Sequence, residues 1–185
     1  IAFVGVGRMG GNMARRLKDV GYATGCIGKW HLGDQPEFLP TRQGFDYYLG
    51  LPYSNDMGPA ADGSKSDLGV KLPEAKAGAD GAGNETGLTG ASQPPLPLLE
   101  NERVIARVRQ DEQQGIVERY TTAAVKFLRD HRDKHFFLYL PHNAVHFPLY
   151  PGKAFVGRSH NGLYGDCVEE VDWSVGQVMS TLREL

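Results

Sequence analysis

The segment GYATGCIGKWHLG, residues 21–33, carries a lysine and a histidine two positions apart, after a short apolar run between glycines. In an extended chain, side chains at positions i and i+2 lie on one face, so Lys29 and His31 would project together and Trp30 to the opposite side. An ammonium group suits a tetrahedral oxyanion, and an imidazole exchanges a proton near neutral pH. The pair therefore favours phosphate or sulfate ester chemistry, with two surface residues at a strand end as the alternative interpretation.

Three blocks follow one another along the chain: GKWHLG at 28–33, QGFDYYLGLPYSNDMGP at 43–59 and FFLYLPHNAVHFP at 136–148. In amino-acid sequence and in order along the chain, these blocks resemble the sulfatase family, particularly the arylsulfatase type. The resemblance runs from about residue 17 to the last residue. It implies that 17–185 is an incomplete sulfatase catalytic domain, with an α/β fold that is part of the alkaline-phosphatase-like sandwich.

The resemblance also implies roles for particular residues. His146 matches the histidine that contacts the sulfate and can serve the leaving group. Lys29 and His31 are the residues that this chain keeps for neutralising charge and handling protons, and Ser54 matches a position that helps to hold the sulfate. His31 and His146 are thus the catalytic candidates, and Lys29 and Ser54 the substrate-binding ones. The alternatives are a histidine bonded to loop backbone at 146 and simple turn chemistry at Ser54.

The third block begins with HFFLYL at 135–140, a continuous apolar run of the kind found in strands buried on both faces. Pro141 ends this run, and ligands of open α/β sheets bind beyond the carboxyl ends of the strands. His142 and His146 lie four residues apart, a spacing that could hold zinc on a helix. The flanking prolines indicate a loop instead, so we predict no metal site there.

A different resemblance covers the first 16 residues, IAFVGVGRMGGNMARR, which predict a buried strand, a glycine turn and the start of a helix. Gly5, Gly7 and Gly10 match a dinucleotide-binding fingerprint, and the wording resembles that of β-hydroxyacid dehydrogenases. Such a fingerprint implies NAD(P) as a cofactor and needs an acidic residue about 20 positions on. The nearest acid, Asp34, follows the sulfatase-like block. We therefore expect a Rossmann-like strand, turn and helix at 1–16, a possible chimeric start.

Length, charge and cysteine usage limit the other functions. A chain of 185 residues suits one domain, and its formal charge of −2 comes without a basic stripe, so we expect no nucleic-acid partner. No apolar run reaches the roughly 18 residues of a membrane span, and the first residues lack a signal-peptide pattern. Cys26 and Cys167 show no metal-type spacing. The resemblance suggests a periplasmic, secreted or lysosomal location.

The remaining sequence predicts the supporting elements. Basic residues before Gly21 indicate a helix end. We expect a surface loop over 34–59, a flexible insertion at about 60–95 and a hairpin of a small peripheral sheet over 97–108. A helix over 111–132 should bury Ile116, Tyr120, Ala124, Phe127 and Leu128. The last helix, 164–185, should pack on the core through Val168, Val171, Val175, Val178 and Leu182.

The departures from the sulfatase pattern limit the activity we expect. In the complete enzyme the resemblance implies calcium, held by paired aspartates and a later Asp-Asn pair, and a formylglycine made in a C-x-P-S-R signature. Neither Cys26 nor Cys167 lies in such a signature. We therefore expect a fragment of a sulfuric ester hydrolase that recognises sulfate esters or sulfated glycans but is inactive alone. A non-catalytic anion-binding module and an NAD(P)-dependent dehydrogenase-like protein are the alternatives.

Overall fold

The computed structural model describes residues 8–55, 96–108, 112–146 and 149–185, with backbone only for residues 8–12. Three α-helices and five β-strands form in these ranges. The helices are α1 (Arg8–Asp19), α2 (Ile116–Asp130) and α3 (Gly162–Glu184). The strands are β1 (Ala23–Ile27), β2 (Tyr47–Gly50), β3 (Leu96–Glu100), β4 (Arg103–Val108) and β5 (Phe136–Tyr139). No helix of this part of the chain is long and apolar enough to cross a membrane.

The five strands form one mixed sheet in the order β4-β3-β2-β1-β5. Strand β1 pairs in parallel with both β2 and β5, with Gly25 opposite Tyr47 on one side and Leu138 on the other. Strands β2, β3 and β4 pair antiparallel. Because β2, β1 and β5 run in the same direction, their carboxyl ends lie along one edge of the sheet.

Each face of the sheet has its own apolar core. On one face Ile27 and Leu49 pack with Leu98, Tyr120 and Phe127, which places α2 against the sheet. The buried members of the core on the opposite face are Ala14, Cys26, Trp30, Leu39, Phe45, Tyr48 and Leu99. Since Ala14 belongs to α1, helices cover both faces of the sheet, as in other α/β layer folds.

The end of α1 confirms the prediction made from Gly21. The Gly21 N–H donates to the Lys18 carbonyl at 2.9 Å, and the Tyr22 N–H donates to the Leu17 carbonyl at 3.0 Å. Gly21 has a φ of +90°, and these two bonds together define a Schellman cap. This cap turns the chain directly into β1, whose Thr24 hydroxyl donates to the Gly44 carbonyl at 2.8 Å.

Two predictions about strands are wrong in this region. The segment predicted as a loop over 34–59 contains β2, and the hairpin of β3 and β4, correctly placed around Asn101, belongs to the main sheet rather than to a peripheral one. Strand β2 is only four residues long, and both of its neighbours supply hydrogen bonds. The Asn101 side chain also accepts the Tyr48 N–H at 3.0 Å. Short strands of this kind depend on tertiary pairing, which local composition does not reveal.

The prediction of α2 is confirmed, since its five expected apolar positions are all buried. The valine face predicted for α3 is correct only in part. Val178 packs against the core and Val171 and Leu182 are half-buried, but Val168 and Val175 are 44% and 45% exposed. The residues that α3 buries fully are Gly165, Asp166, Cys167, Glu170, Ser174 and Thr181. Small and polar side chains let α2 and α3 approach closely, and the Thr121 hydroxyl donates to the Ser174 hydroxyl at 2.7 Å.

Strand β5 is half-buried rather than buried on both faces, since within the described sheet it forms an edge. The strand predicted at the start of the chain, with Gly5 and Gly7, lies outside the described residues, and Gly10 lies within α1. The insertion predicted at about 60–95 also falls outside them, as do residues 56–59.

A Gly50→Ala variant tests how closely the strand ends approach one another. A Cβ at position 50 would lie 1.7 Å from the Gly28 carbonyl oxygen, so the backbones must separate. We expect a loss of at least about 3 kcal/mol in the free energy of unfolding. Urea unfolding followed by circular dichroism measures it.

Gly176→Ala is the matched control. A Cβ there meets nothing within 4 Å, and the position lies inside α3. This variant should gain up to about 1 kcal/mol from helix propensity. Equal stability of the two variants would contradict the packing described for β1 and β2.

Candidate anion-binding site

The candidate site lies where the parallel strands β1, β2 and β5 end. The segment that follows β1 is tied to the segments that follow both neighbours. The Lys29 N–H donates to the Pro141 carbonyl at 2.7 Å, the Trp30 N–H to Leu51 at 2.9 Å, and the His31 N–H to Pro52 at 3.0 Å. Three stretches that are far apart in sequence therefore share one edge of the sheet.

Three of the predicted site residues meet at this edge. The Lys29 ammonium lies 3.4 Å from the Ser54 hydroxyl, and that hydroxyl lies 3.4 Å from Nδ1 of His146. Ser54 is 1% exposed, Lys29 is half-buried and His146 is exposed. We call Lys29, Ser54 and His146 the anion cluster, because a cation, a hydroxyl and an imidazole face one another there. Contacts of 3.4 Å are long for hydrogen bonds.

His31 is placed differently from the expectation based on a regular strand. Strand β1 ends at Ile27, and Gly28, with a φ of +131°, breaks the regular alternation. His31 itself has a φ of +62°, and its side chain is exposed. Trp30 is buried, and its indole N–H donates to the Phe38 carbonyl at 2.8 Å. His31 thus lies at the exposed rim of this edge, and its catalytic role stays a prediction.

His142 is a half-buried residue that contacts α3. Its Nε2 lies 3.2 Å from the Ser174 hydroxyl, and its Nδ1 has no hydrogen-bond partner among the described residues. Burial lowers the pKa of His142 to about 4, so the ring is neutral at physiological pH. No group of three or more His, Cys, Asp or Glu within the described ranges could hold a metal ion. These residues therefore do not fit the calcium site that the resemblance implies for a complete enzyme.

Glu170, on α3, is buried against the segment 149–152. Its carboxylate accepts the Gly152 N–H at 2.8 Å, and burial raises the pKa of Glu170 to about 7 despite that hydrogen bond. This hydrogen bond ties the segment 149–152 to α3.

Sequence reasoning also missed three polar residues that support the site: Asn55, Gln113 and Asn143. All three are buried. Asn55 and Asn143 lie within the two blocks already singled out, next to Ser54 and near His146. Their position in these blocks could have indicated a role for the two asparagines, but only the fold shows that Asn55 bonds to Gln113 and Asn143 to Tyr120.

The structure is that of an α/β protein in which Lys29, Ser54 and His146 meet at the carboxyl edge of a mixed sheet. The sequence model of the sulfatase family matches residues 6–185, and the chain belongs to the sulfatase family. Human arylsulfatase A is 38% identical over 177 residues, covering 94% of this chain and 32% of the relative. Mouse steryl-sulfatase is 36% identical over 214 residues, covering 94% of this chain and 34% of the relative. Pig N-acetylgalactosamine-6-sulfatase is 30% identical over 178 residues, with coverages of 91% and 28%.

Solved structures agree with this assignment. The PsFucS1 sulfatase from Pseudoalteromonas superposes with a TM-score of 0.69 at 25% identity, covering 92% of this chain and 34% of that one. A Bacteroides thetaiotaomicron protein, solved in work on glycosaminoglycan metabolism, gives a TM-score of 0.64 at 27% identity, with coverages of 93% and 42%. The fold is therefore the alkaline-phosphatase-like α/β fold, as predicted. The chain spans about a third of the length of the curated relatives that it matches.

The match from residue 6 includes most of the segment that resembled a dehydrogenase. None of the relatives named here is a dehydrogenase. The join predicted after about residue 16 is not tested by these comparisons and stays a prediction.

His142 and Glu170 should make opposite contributions to the pH dependence of stability. The unfolded chain binds a proton at His142 between about pH 6.5 and pH 4 that the folded chain does not, so this group costs stability as pH falls. The folded chain holds a proton at Glu170 between about pH 7 and pH 4.5 that the unfolded chain releases, so stability rises as pH falls. From the size of the two pKa shifts, each contribution is on the order of 3 kcal/mol.

Removing either side chain should therefore leave the pH dependence of stability that the other one causes. Glu170→Gln should lose stability more steeply than the parent chain between about pH 7 and pH 4.5, and His142→Gln should lose it less steeply. Urea unfolding across this range measures both slopes. If the stability of all three proteins changed with pH in the same way, the pKa shifts assigned to His142 and Glu170 would be contradicted.

Proposed function

We propose that this chain is part of a sulfuric ester hydrolase of the arylsulfatase type and carries one side of its sulfate-binding pocket. The observation that supports the proposal is the anion cluster, in which Lys29, Ser54 and His146 meet across three strand ends. A sulfate ester is a tetrahedral anion, and a lysine next to a hydroxyl donor is suited to its oxygens.

Each group has a chemical task in this proposal. Lys29 neutralises charge on the sulfate oxygens, and Ser54 donates a hydrogen bond to one of them. His146 serves the oxygen of the leaving group, because an imidazole can donate and accept a proton near neutral pH. His31, on the rim, handles protons at the same ester. Membership of the family supports these assignments, since the relatives are sulfatases.

The substrates that we propose are small sulfate esters or sulfated glycans. One relative is named for N-acetylgalactosamine-6-sulfate and another for steryl sulfate, and a structural neighbour comes from work on glycosaminoglycans. The anion cluster would recognise the sulfate group that all of these share. An extracytoplasmic location and a calcium requirement belong to the same proposal for the complete enzyme.

We further propose that the chain of 185 residues binds sulfate without hydrolysing its esters. Both cysteines are buried, neither lies in a C-x-P-S-R signature, and burial raises the pKa of each thiol. Neither cysteine can then supply the formylglycine nucleophile. The loss of nucleophile removes a main source of catalysis, whereas the anion cluster needs neither cysteine.

A Lys29→Ala variant tests the role of the anion cluster in binding. Removing the ammonium should weaken the binding of inorganic sulfate by about tenfold or more, the usual value of one charge-assisted hydrogen bond. Isothermal titration calorimetry at low ionic strength measures the dissociation constant. Lys134→Ala is the matched control, because Lys134 is exposed in the turn between α2 and β5. Equal affinities for the two variants would overturn the proposal.

Two assays separate this function from its alternatives. The purified chain should show no hydrolysis of p-nitrophenyl sulfate above the buffer rate, with commercial arylsulfatase as the positive control. It should also leave NADH and NADPH fluorescence unchanged on titration, since the dehydrogenase-like function rests only on Gly5, Gly7 and Gly10. Aryl sulfate turnover would refute the proposed inactivity of this chain, and a saturable fluorescence change would favour the oxidoreductase.

A further inference from the structure

We propose that Gln113 and Tyr120, at the start of α2, are positioning residues that hold the two loops of the anion cluster in register. Neither residue belongs to the anion cluster. Gln113 accepts a hydrogen bond from the buried Asn55, and Tyr120 donates one to the buried Asn143. The inference rests on the proposed function for the identity of the ligand, but the geometry that it concerns is present without one.

The first link joins Tyr120 to His146. The Tyr120 hydroxyl donates to Oδ1 of Asn143 at 2.9 Å, and both side chains are buried, with exposures of 0% and 5%. The Asn143 carbonyl in turn accepts the His146 N–H at 3.1 Å. Asn143 thus contacts α2 through its side chain and His146 through its backbone carbonyl.

The second link joins Gln113 to Ser54. Nδ2 of Asn55, the residue that follows Ser54, donates to Oε1 of Gln113 at 3.3 Å. Both side chains are buried, with exposures of 4% and 6%. Gln113 opens the 3-10 turn Gln113–Gly115, which continues directly into α2.

The two supports both lie at the start of α2. Gln113 lies in the 3-10 turn that leads directly into α2, and Tyr120 lies in the second turn of α2. Ser54 and His146 are 92 positions apart in sequence, yet their side chains lie 3.4 Å from each other. Hydrogen bonds between buried polar groups are costly to leave unmade, so they restrict each loop to one position. We infer that α2 sets the separation between Ser54 and His146.

The first experiment measures the position of His146 without any ligand. The chain is labelled with ¹⁵N-histidine, and its ring signals are recorded for the parent chain and for Tyr120→Phe, with His146→Gln identifying the signal of residue 146. Tyr120→Phe keeps the ring and removes only the hydroxyl. We expect the His146 signal to shift or to broaden by exchange, because Asn143 loses its anchor.

Phe127→Leu is the matched control for a general loss of stability. Phe127 is buried in the same helix, and its described contacts are with the core and with His131 and Phe136. This variant should lower the unfolding temperature and leave the His146 signal in place. An unchanged His146 signal in Tyr120→Phe, or the same change in Phe127→Leu, would overturn the proposal.

The second experiment tests the link to Ser54 by sulfate binding. Gln113→Ala should weaken sulfate binding severalfold, measured by calorimetry. Gln114→Ala serves as the control, because the Gln114 amide donates to the Pro151 carbonyl instead. Equal losses in both variants would refute the role of Gln113. An absence of sulfate binding in the parent chain would refute the proposed function, and the histidine signals would still decide whether α2 positions His146.

Discussion

The close approach of three backbones at the carboxyl edge of the sheet is the constraint on which the site depends. A Cβ at Gly50 would lie 1.7 Å from the Gly28 carbonyl oxygen, and one at Gly28 would lie 2.0 Å from the Pro141 carbonyl oxygen. Only glycine permits these contacts. The two glycines thus let the segment after β1 lie directly between the segments after β2 and β5. Lys29 follows this narrow point at once, which is why its ammonium reaches a hydroxyl from one neighbour beside an imidazole from the other.

The chemistry of the edge follows from what surrounds it. The anion cluster contains one fixed cation, Lys29, although the whole chain carries a formal charge of −2. Asn143, whose backbone carbonyl accepts the His146 N–H, is a neutral and buried residue. In the proposed function, the positive charge of Lys29 would serve the recognition of a sulfate group.

Much of this structure was predictable from local patterns, and the rest was not, for identifiable reasons. The helical spacing of Ile116 to Leu128, the glycine stop at Gly21 and the turn at Asn101 are local signals, and each matches the fold. Strand β2 was missed because its two tyrosines, though favourable in strands, belong to a run of only four residues within a segment rich in glycine and proline. The buried face of α3 was misassigned in part, because Val168 and Val175 suggested packing but are exposed, whereas the Thr121 and Ser174 hydroxyls lie 2.7 Å apart between the helices.

The same distinction applies to the site. Lys29, Ser54 and His146 were predicted because the family resemblance attaches a role to each position, and the structure brings these three together. The partners Gln113 and Tyr120 carry no such signal. Tyr120 looked like an ordinary core residue, and only the fold shows its hydroxyl bonded to Asn143.

The backbone hydrogen bonds of residues 29–31 have a consequence for local motion. These residues lie outside every strand, yet each of their amides is bonded to a carbonyl of a neighbouring segment. Their amide protons should therefore exchange with solvent deuterium as slowly as those of β1, whereas exposed loop amides exchange fast. Residues 29–31 are then stiffer than an ordinary loop, and in the proposed function they would bind an anion with little loss of conformational entropy.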